Sequence, residues 1–135
     1  MSSDPSLAIQ KAFYDKLIVA VPMVNSRVYD QVPEPDRLVY PYISFGEFQS
    51  VDDSADCIDS MELFATLHAW SRAFGTVEVK GMVDQIRIAL HDQPLDLGPG
   101  FNWVLSENQM SRILKDPDGV TKHGVITIRV VSTAR

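Results

Sequence analysis

The feature that most constrains the fold is a ten-residue alternation from Met61 to Trp70. Met61, Leu63, Ala65, Leu67 and Ala69 alternate with Glu62, Phe64, Thr66, His68 and Trp70. A period of two puts every small or aliphatic residue on one face, as in a half-buried strand. Met, Glu, Leu and Ala are also good helix formers. The length of the alternation favours the strand. A strand with one apolar face needs neighbours on both sides and a layer packed against that face. The rest of the chain is read for those partners.

An amphipathic helix opens the chain. Asp4 is placed to cap it and Pro5 to occupy its first position, and Ile9, Ala12, Phe13, Lys16, Leu17 and Ala20 recur at helical spacing before Pro22 stops it. A short β-prone run, Arg27–Val32, follows. Pro33-Glu34-Pro35-Asp36 forbids regular structure, and Tyr40-Pro41-Tyr42 leads, extended, into a strand over Tyr42–Gln49. Gly46 inside that strand signals a bulge or a close backbone approach. Val51–Asp59 reads as a polar loop joining two strands. A second helix presents Val79, Met82, Val83, Ile86, Ala89 and Leu90 on one face, after a turn at Ser71–Thr76. Phe101–Ser111 and Gly124–Val131 read as strands flanking a turn at Lys115-Asp116-Pro117-Asp118-Gly119. The expected fold is α+β: a single domain over residues 1–135, order α-β-β-β-α-β-β. Its sheet is rich in antiparallel pairs, with two helices on one face.

Composition narrows the function. The 135 residues carry a formal charge of −6. A protein built to grip nucleic acid usually shows a basic balance or stripe. Lysines and arginines here are dispersed. One cysteine, Cys57, rules out an intrachain disulfide framework and a cysteine-based zinc site. No apolar stretch is long enough to cross a bilayer, and the first ten residues lack the pattern of a signal peptide. A soluble protein made in the cytoplasm is expected.

No reaction centre assembles from the residues. Cys57 and His68 could pair as nucleophile and base, but acidic neighbours favour the neutral thiol. His68, His91 and His123 have no metal-ligand spacing. Asp52, Asp53, Asp56 and Asp59 do not match a calcium loop, which also needs a turn glycine. Phosphate-loop, dinucleotide and nucleophile-elbow motifs are absent. No catalytic residue, cofactor or metal is assigned. Trp70 and Trp103 are expected to pack in the core, with a partner hot spot as the other reading.

Several ordered segments carry a likeness to a known family. They are Leu7–Ala12, Arg27–Asp30 with Val32-Pro33, Tyr40–Gly46, Leu67–Arg72, the helix ending Ala89-Leu90-His91, and Arg112–Gly124. Together they resemble the tail terminator proteins of long-tailed phages and gene transfer agents, also called tail completion or head–tail joining proteins. The resemblance implies a non-enzymatic virion protein of the tail. It would form a ring, typically hexameric, that caps the tail tube, ends tube polymerisation and docks to the head connector. Its partners would be its own copies, the tube protein and the connector or stopper protein. DNA would pass through without specific binding, and no membrane is involved. Another head–tail component, a stopper or tube-like protein, is the nearest alternative. A small cytosolic α+β enzyme or ligand-binding module is the more distant one. Within this reading Asp52, Asp53, Asp56 and Asp59 are candidates to face the channel, with a solvated outer rim as the rival placement. The edge strands and the segment bearing Pro33, Pro35, Tyr40 and Tyr42 are candidates for contacts between subunits.

Overall fold

Alternating apolar residues build the centre of the molecule. The computed structural model describes residues 3–55 and 58–134. Helix α1 (Ser6–Ala20) leads through a 3-10 turn (Pro22–Val24) to the two-residue strand β1 (Val28–Tyr29). Strands β2 (Tyr42–Asp52) and β3 (Ser60–Ser71), helix α2 (Val77–Leu90), and strands β4 (Phe101–Lys115) and β5 (Lys122–Ala134) follow. The sheet order is β1-β2-β3-β5-β4. β1 runs parallel to β2, and every other neighbouring pair is antiparallel. The α-β-β-β-α-β-β order read from the sequence is the order observed. None of the described helices is long and apolar enough to cross a membrane.

β3 and β5 pair without interruption from Ser60↔Thr133 to Ser71↔Lys122. Leu63, Ala65, Leu67 and Ala69 of β3 and Ile126, Ile128 and Val130 of β5 are buried on one face. Against them pack Val79, Met82, Ile86 and Leu90 of α2, and Ile9, Phe13 and Leu17 of α1. Each large side chain among these contributes about 1.5–3 kcal/mol by leaving water. Both helices cover that same face, because their apolar stripes have nowhere else to go.

Several boundaries differ from the sequence reading. Pro5 stands just before α1, where its carbonyl accepts the first helical bond from Ile9 at 2.9 Å; Asp4 Oδ1 accepts the Ser6 amide at 2.8 Å. Ala20 is exposed rather than part of the buried stripe. β2 runs on through Val51 and Asp52, which pair with Glu62 and Met61, so the loop begins at Asp53. β4 continues to Lys115 because β5 already begins at Lys122 and supplies a partner. The turn between them is held by Asp118, which accepts amide bonds from Val120 and Thr121, both at 2.8 Å. The Thr121 hydroxyl beside it, with those amides, lowers the Asp118 carboxyl to about 2. The Tyr40–Pro41 peptide bond is cis.

Gly124 sits where β5 passes beneath α2. A Cβ there would lie 2.6 Å from Val83 Cγ2 and 3.4 Å from Ala69 Cβ. Gly124→Ala is expected to lower stability by about 1–3 kcal/mol through overpacking, measured by urea denaturation. An unchanged midpoint would show that α2 yields freely at this crossing.

Candidate assembly surface

The register places the two predicted site groups at opposite ends of the sheet. Tyr42 pairs with Trp70, and Ser71 and Lys115 both pair with Lys122. One end therefore gathers the segment 33–42, the β3–α2 turn and the β4–β5 turn. Asp52 pairs with Met61 at the other end, where residues 53–55 and 58–59 lie. The twelve residues of β3 separate them by about 40 Å.

At the first end an aromatic ladder covers the sheet face away from the helices. Trp70 stacks on His123 with ring centroids 3.8 Å apart and planes 8° apart. On its other neighbouring strand, Tyr42 stacks on Trp70 at 6.1 Å, and Tyr40 tilts against Tyr42 at 5.1 Å. The Arg72 guanidinium lies 4.6 Å from the centre of the Tyr40 ring, a cation–π contact. Trp70 Nε1 donates to Ser44 Oγ at 3.1 Å. Burial, and then Tyr40, raise the Tyr42 phenol well above its ordinary value. Of the four segment residues named from sequence, Tyr40 and Tyr42 thus meet in one cluster. Pro35 is exposed and Pro33 half-buried in the preceding loop.

Trp70 is a correction. It lies outside the core, on the open sheet face, because it falls on the polar phase of the β3 alternation. Trp103 does pack against the core. The sequence also hid a histidine pair. His68 and His123 are 55 positions apart, yet His68 Nδ1 and His123 Nε2 stand 2.6 Å apart across β3 and β5. A hydrogen bond between two imidazoles holds one proton, donated by one ring to the other. Gly46 makes room for this pair: a Cβ there would lie 2.5 Å from His68 Nε2. Gly46 and Glu47 also form the bulge in β2, between the pairs Phe45↔Leu67 and Phe48↔Ala65. Both readings of that glycine hold.

At the acidic end, Asp52 and Asp53 are exposed. Ser54 organises the loop: its amide donates to Asp52 Oδ1 at 2.8 Å and its hydroxyl to Asp59 Oδ1 at 3.1 Å. These bonds from Ser54 hold the Asp52 carboxyl below its ordinary range. Asp56 and Cys57 lie outside the described residues. Among the described residues no cluster of three or more His, Cys, Asp or Glu could hold a metal ion.

Between the ends, Arg129 of β5 bridges Glu62 of β3 and Glu107 of β4 on the open face. β4 forms one edge of the sheet, fifteen residues long, with irregularities at Val104 and Gln109. On the opposite edge β1 covers only Ile43 and Ser44 of β2. Long free edges can take a further strand.

These features are surfaces: two chemically different ends, an aromatic sheet face and an open edge. The family described as "Tail completion protein gp17" matches residues 16–133, and the chain belongs to it. It is therefore a structural protein of a virion tail, in keeping with the resemblance carried by its segments. The chain is 28% identical over 128 residues to the tail completion protein gp17 of Bacillus phage SPP1, covering 92% of this chain and 91% of that one. It is similar to the solved structure of bacteriophage SPP1 gp17 protein, with a TM-score of 0.59 at 27% identity over 93% and 88% of the two chains. A chain in the virion of a native gene transfer agent particle shares the fold, with a TM-score of 0.85 at 21% identity over 98% and 99%.

The histidine pair gives a pH prediction. Burial lowers both imidazoles below their ordinary 6.5, and His123 is lowered further by His68. The unfolded chain thus binds protons near pH 6.5 that the folded chain refuses. Stability from the neutral pair is complete above about pH 6.5 and is lost as pH falls below it. The melting temperature is expected to drop between about pH 7.5 and 5. His123→Phe, which keeps a ring on Trp70, is expected to flatten that slope. An equal slope in the variant would rule out the pair as its source.

Proposed function

We propose that this chain is a tail terminator: six copies form a ring that caps the tail tube, ends tube polymerisation and joins the tail to the head connector. Such a protein catalyses nothing and needs no cofactor. The observation that carries this reading is the polarity of the subunit. Its carboxylate-rich end and its aromatic end lie about 40 Å apart on one rigid sheet. A ring of such subunits presents two unlike rims, as a joint between two unlike partners requires. Family membership supports the tail setting. The free edge of β4 offers main-chain pairing to one of those partners.

In this ring the segment bearing Pro33, Pro35, Tyr40 and Tyr42 lies at the boundary between subunits. Asp52, Asp53 and Asp59 face the channel or its mouth. Six copies at −6 each carry −36. A wall of that sign repels phosphate, so a duplex passes without being held.

Two measurements test the reading. Purified protein added to its polymerising tube protein is expected to stop elongation and to appear at tube ends by electron microscopy. Tubes that lengthen unchanged, with no protein bound, would overturn it. Replacing Asp52, Asp53 and Asp59 by Lys is expected to give rings that retain DNA on a filter, with retention falling steeply as salt rises. Equal retention by wild type and variant would move the loop out of the channel.

A further inference from the structure

The aromatic ladder ends on two histidines that share one hydrogen bond. His68 Nδ1 and His123 Nε2 stand 2.6 Å apart, and both rings are half-buried on the sheet face away from the helices. The pair has four ring nitrogens. When both rings are neutral, two nitrogens carry protons, and one of those protons lies in the bridge. A third proton goes to the bare outer nitrogen, and the bridge survives as a charge-assisted bond. A fourth puts protons on both bridging nitrogens. Two donors bearing like charges then face each other at 2.6 Å, and the bridge must break. Groups that interact this strongly take up protons in separate steps shared by the pair.

The surroundings decide which ring yields. His68 pairs with Ser44 of β2 and lies against Gly46, where even a Cβ would be 2.5 Å from its Nε2. The β2 backbone thus blocks its retreat. His123 lies on the other side, next to Leu114 of β4. Movement of His123 away from His68 undoes its stack on Trp70, where the rings are 3.8 Å apart. Trp70 in turn stacks on Tyr42, against which Tyr40 tilts. The charged groups on this face are few. Asp116 in the β4–β5 turn draws a proton to His123, and Arg112 of β4 opposes it. Glu47 of the β2 bulge lines a hollow with Thr66, and Arg72 lies beyond Trp70, over Tyr40. Among the described residues neither imidazole is in an ion pair, so none offsets a second charge. Both helices pack on the opposite face.

We propose that the His68–His123 pair is a two-proton latch on the aromatic end of the subunit. It holds through the first added proton and opens on the second. Opening takes His123 off Trp70 and loosens the Tyr42–Tyr40 contact that shapes segment 33–42. The consequence for assembly rests on the ring reading above, which puts that segment at the boundary between subunits. The latch gives that boundary its regulation: copies hold together above the second step and part below it.

NMR of the full chain tests the latch. The imidazole nitrogen signals of His68 and His123 are expected to move in two separate steps as pH falls, with the Trp70 indole signal following the second step alone. His68→Gln leaves one titrating ring and a side chain that can still bond to it. His123→Phe keeps an uncharged ring on Trp70. In both variants the Trp70 signal is expected to hold its position down to about pH 4.5. Self-association, read by sedimentation, is expected to weaken about tenfold or more in wild type between about pH 7.5 and 4.5, and less than about twofold in either variant. A Trp70 signal that moves with the first proton would overturn the latch. So would histidines that titrate independently in one step, or variants that lose the stack as wild type does. If the latch opens as described but wild type and variants lose association equally, or none loses it, its hold on the boundary is overturned. If wild-type protein forms no ring on its tube at neutral pH, the ring reading falls and that hold with it, while the NMR steps decide the latch alone.

Discussion

The β3–β5 pairing is the constraint on which the rest depends. Its twelve register pairs set which residues face the helices and which face away. On one side they align Leu63, Ala65, Leu67 and Ala69 with Ile126, Ile128 and Val130, and so create the floor on which α1 and α2 pack. On the other they bring Trp70 against His123 and His68 within hydrogen-bonding distance of it. A slip of one residue would exchange the two faces. Gly124 and Gly46 protect this pairing from opposite sides, one beneath Val83 of α2 and the other beneath the His68 ring.

The same pairing gives the subunit its direction. Because β2, β3, β5 and β4 run antiparallel, connections alternate between the two ends of the sheet. The polar β2–β3 loop falls at one end, and the two turns bearing Phe74 and Val120 fall at the other with Tyr40. A stiff sheet between them holds the ends at a fixed separation. The charged loop and the aromatic end both lie outside the core that fixes this separation.

Much of the fold was legible because its signals are local and periodic. The alternation at Met61–Trp70, the stripe of α2 and the Pro-Asp-Gly turn each identify their element from a few adjacent residues. Boundaries were less legible. β4 extends past Ser111 and β2 reaches Asp52 because a partner strand is present there, which no local pattern records. Trp70 shows the same limit. Its size suggests the core, but its phase in the alternation puts it on the open face, where the stack on His123 and the bond to Ser44 receive it. The acidic loop was visible as composition. The histidine pair was not, since spacing along the chain says nothing of spacing across a sheet.

By itself the sequence determined the class of fold, the order of elements, the buried stripes and the family likeness. These follow from side-chain periodicity, turn chemistry and ordered short segments, all of which act within a few residues. Only the tertiary structure decided what meets what. It set the acidic loop and the aromatic segment at opposite ends and joined His68 to His123. Those outcomes depend on strand register and helix packing, in which residues far apart in the chain compete for the same space.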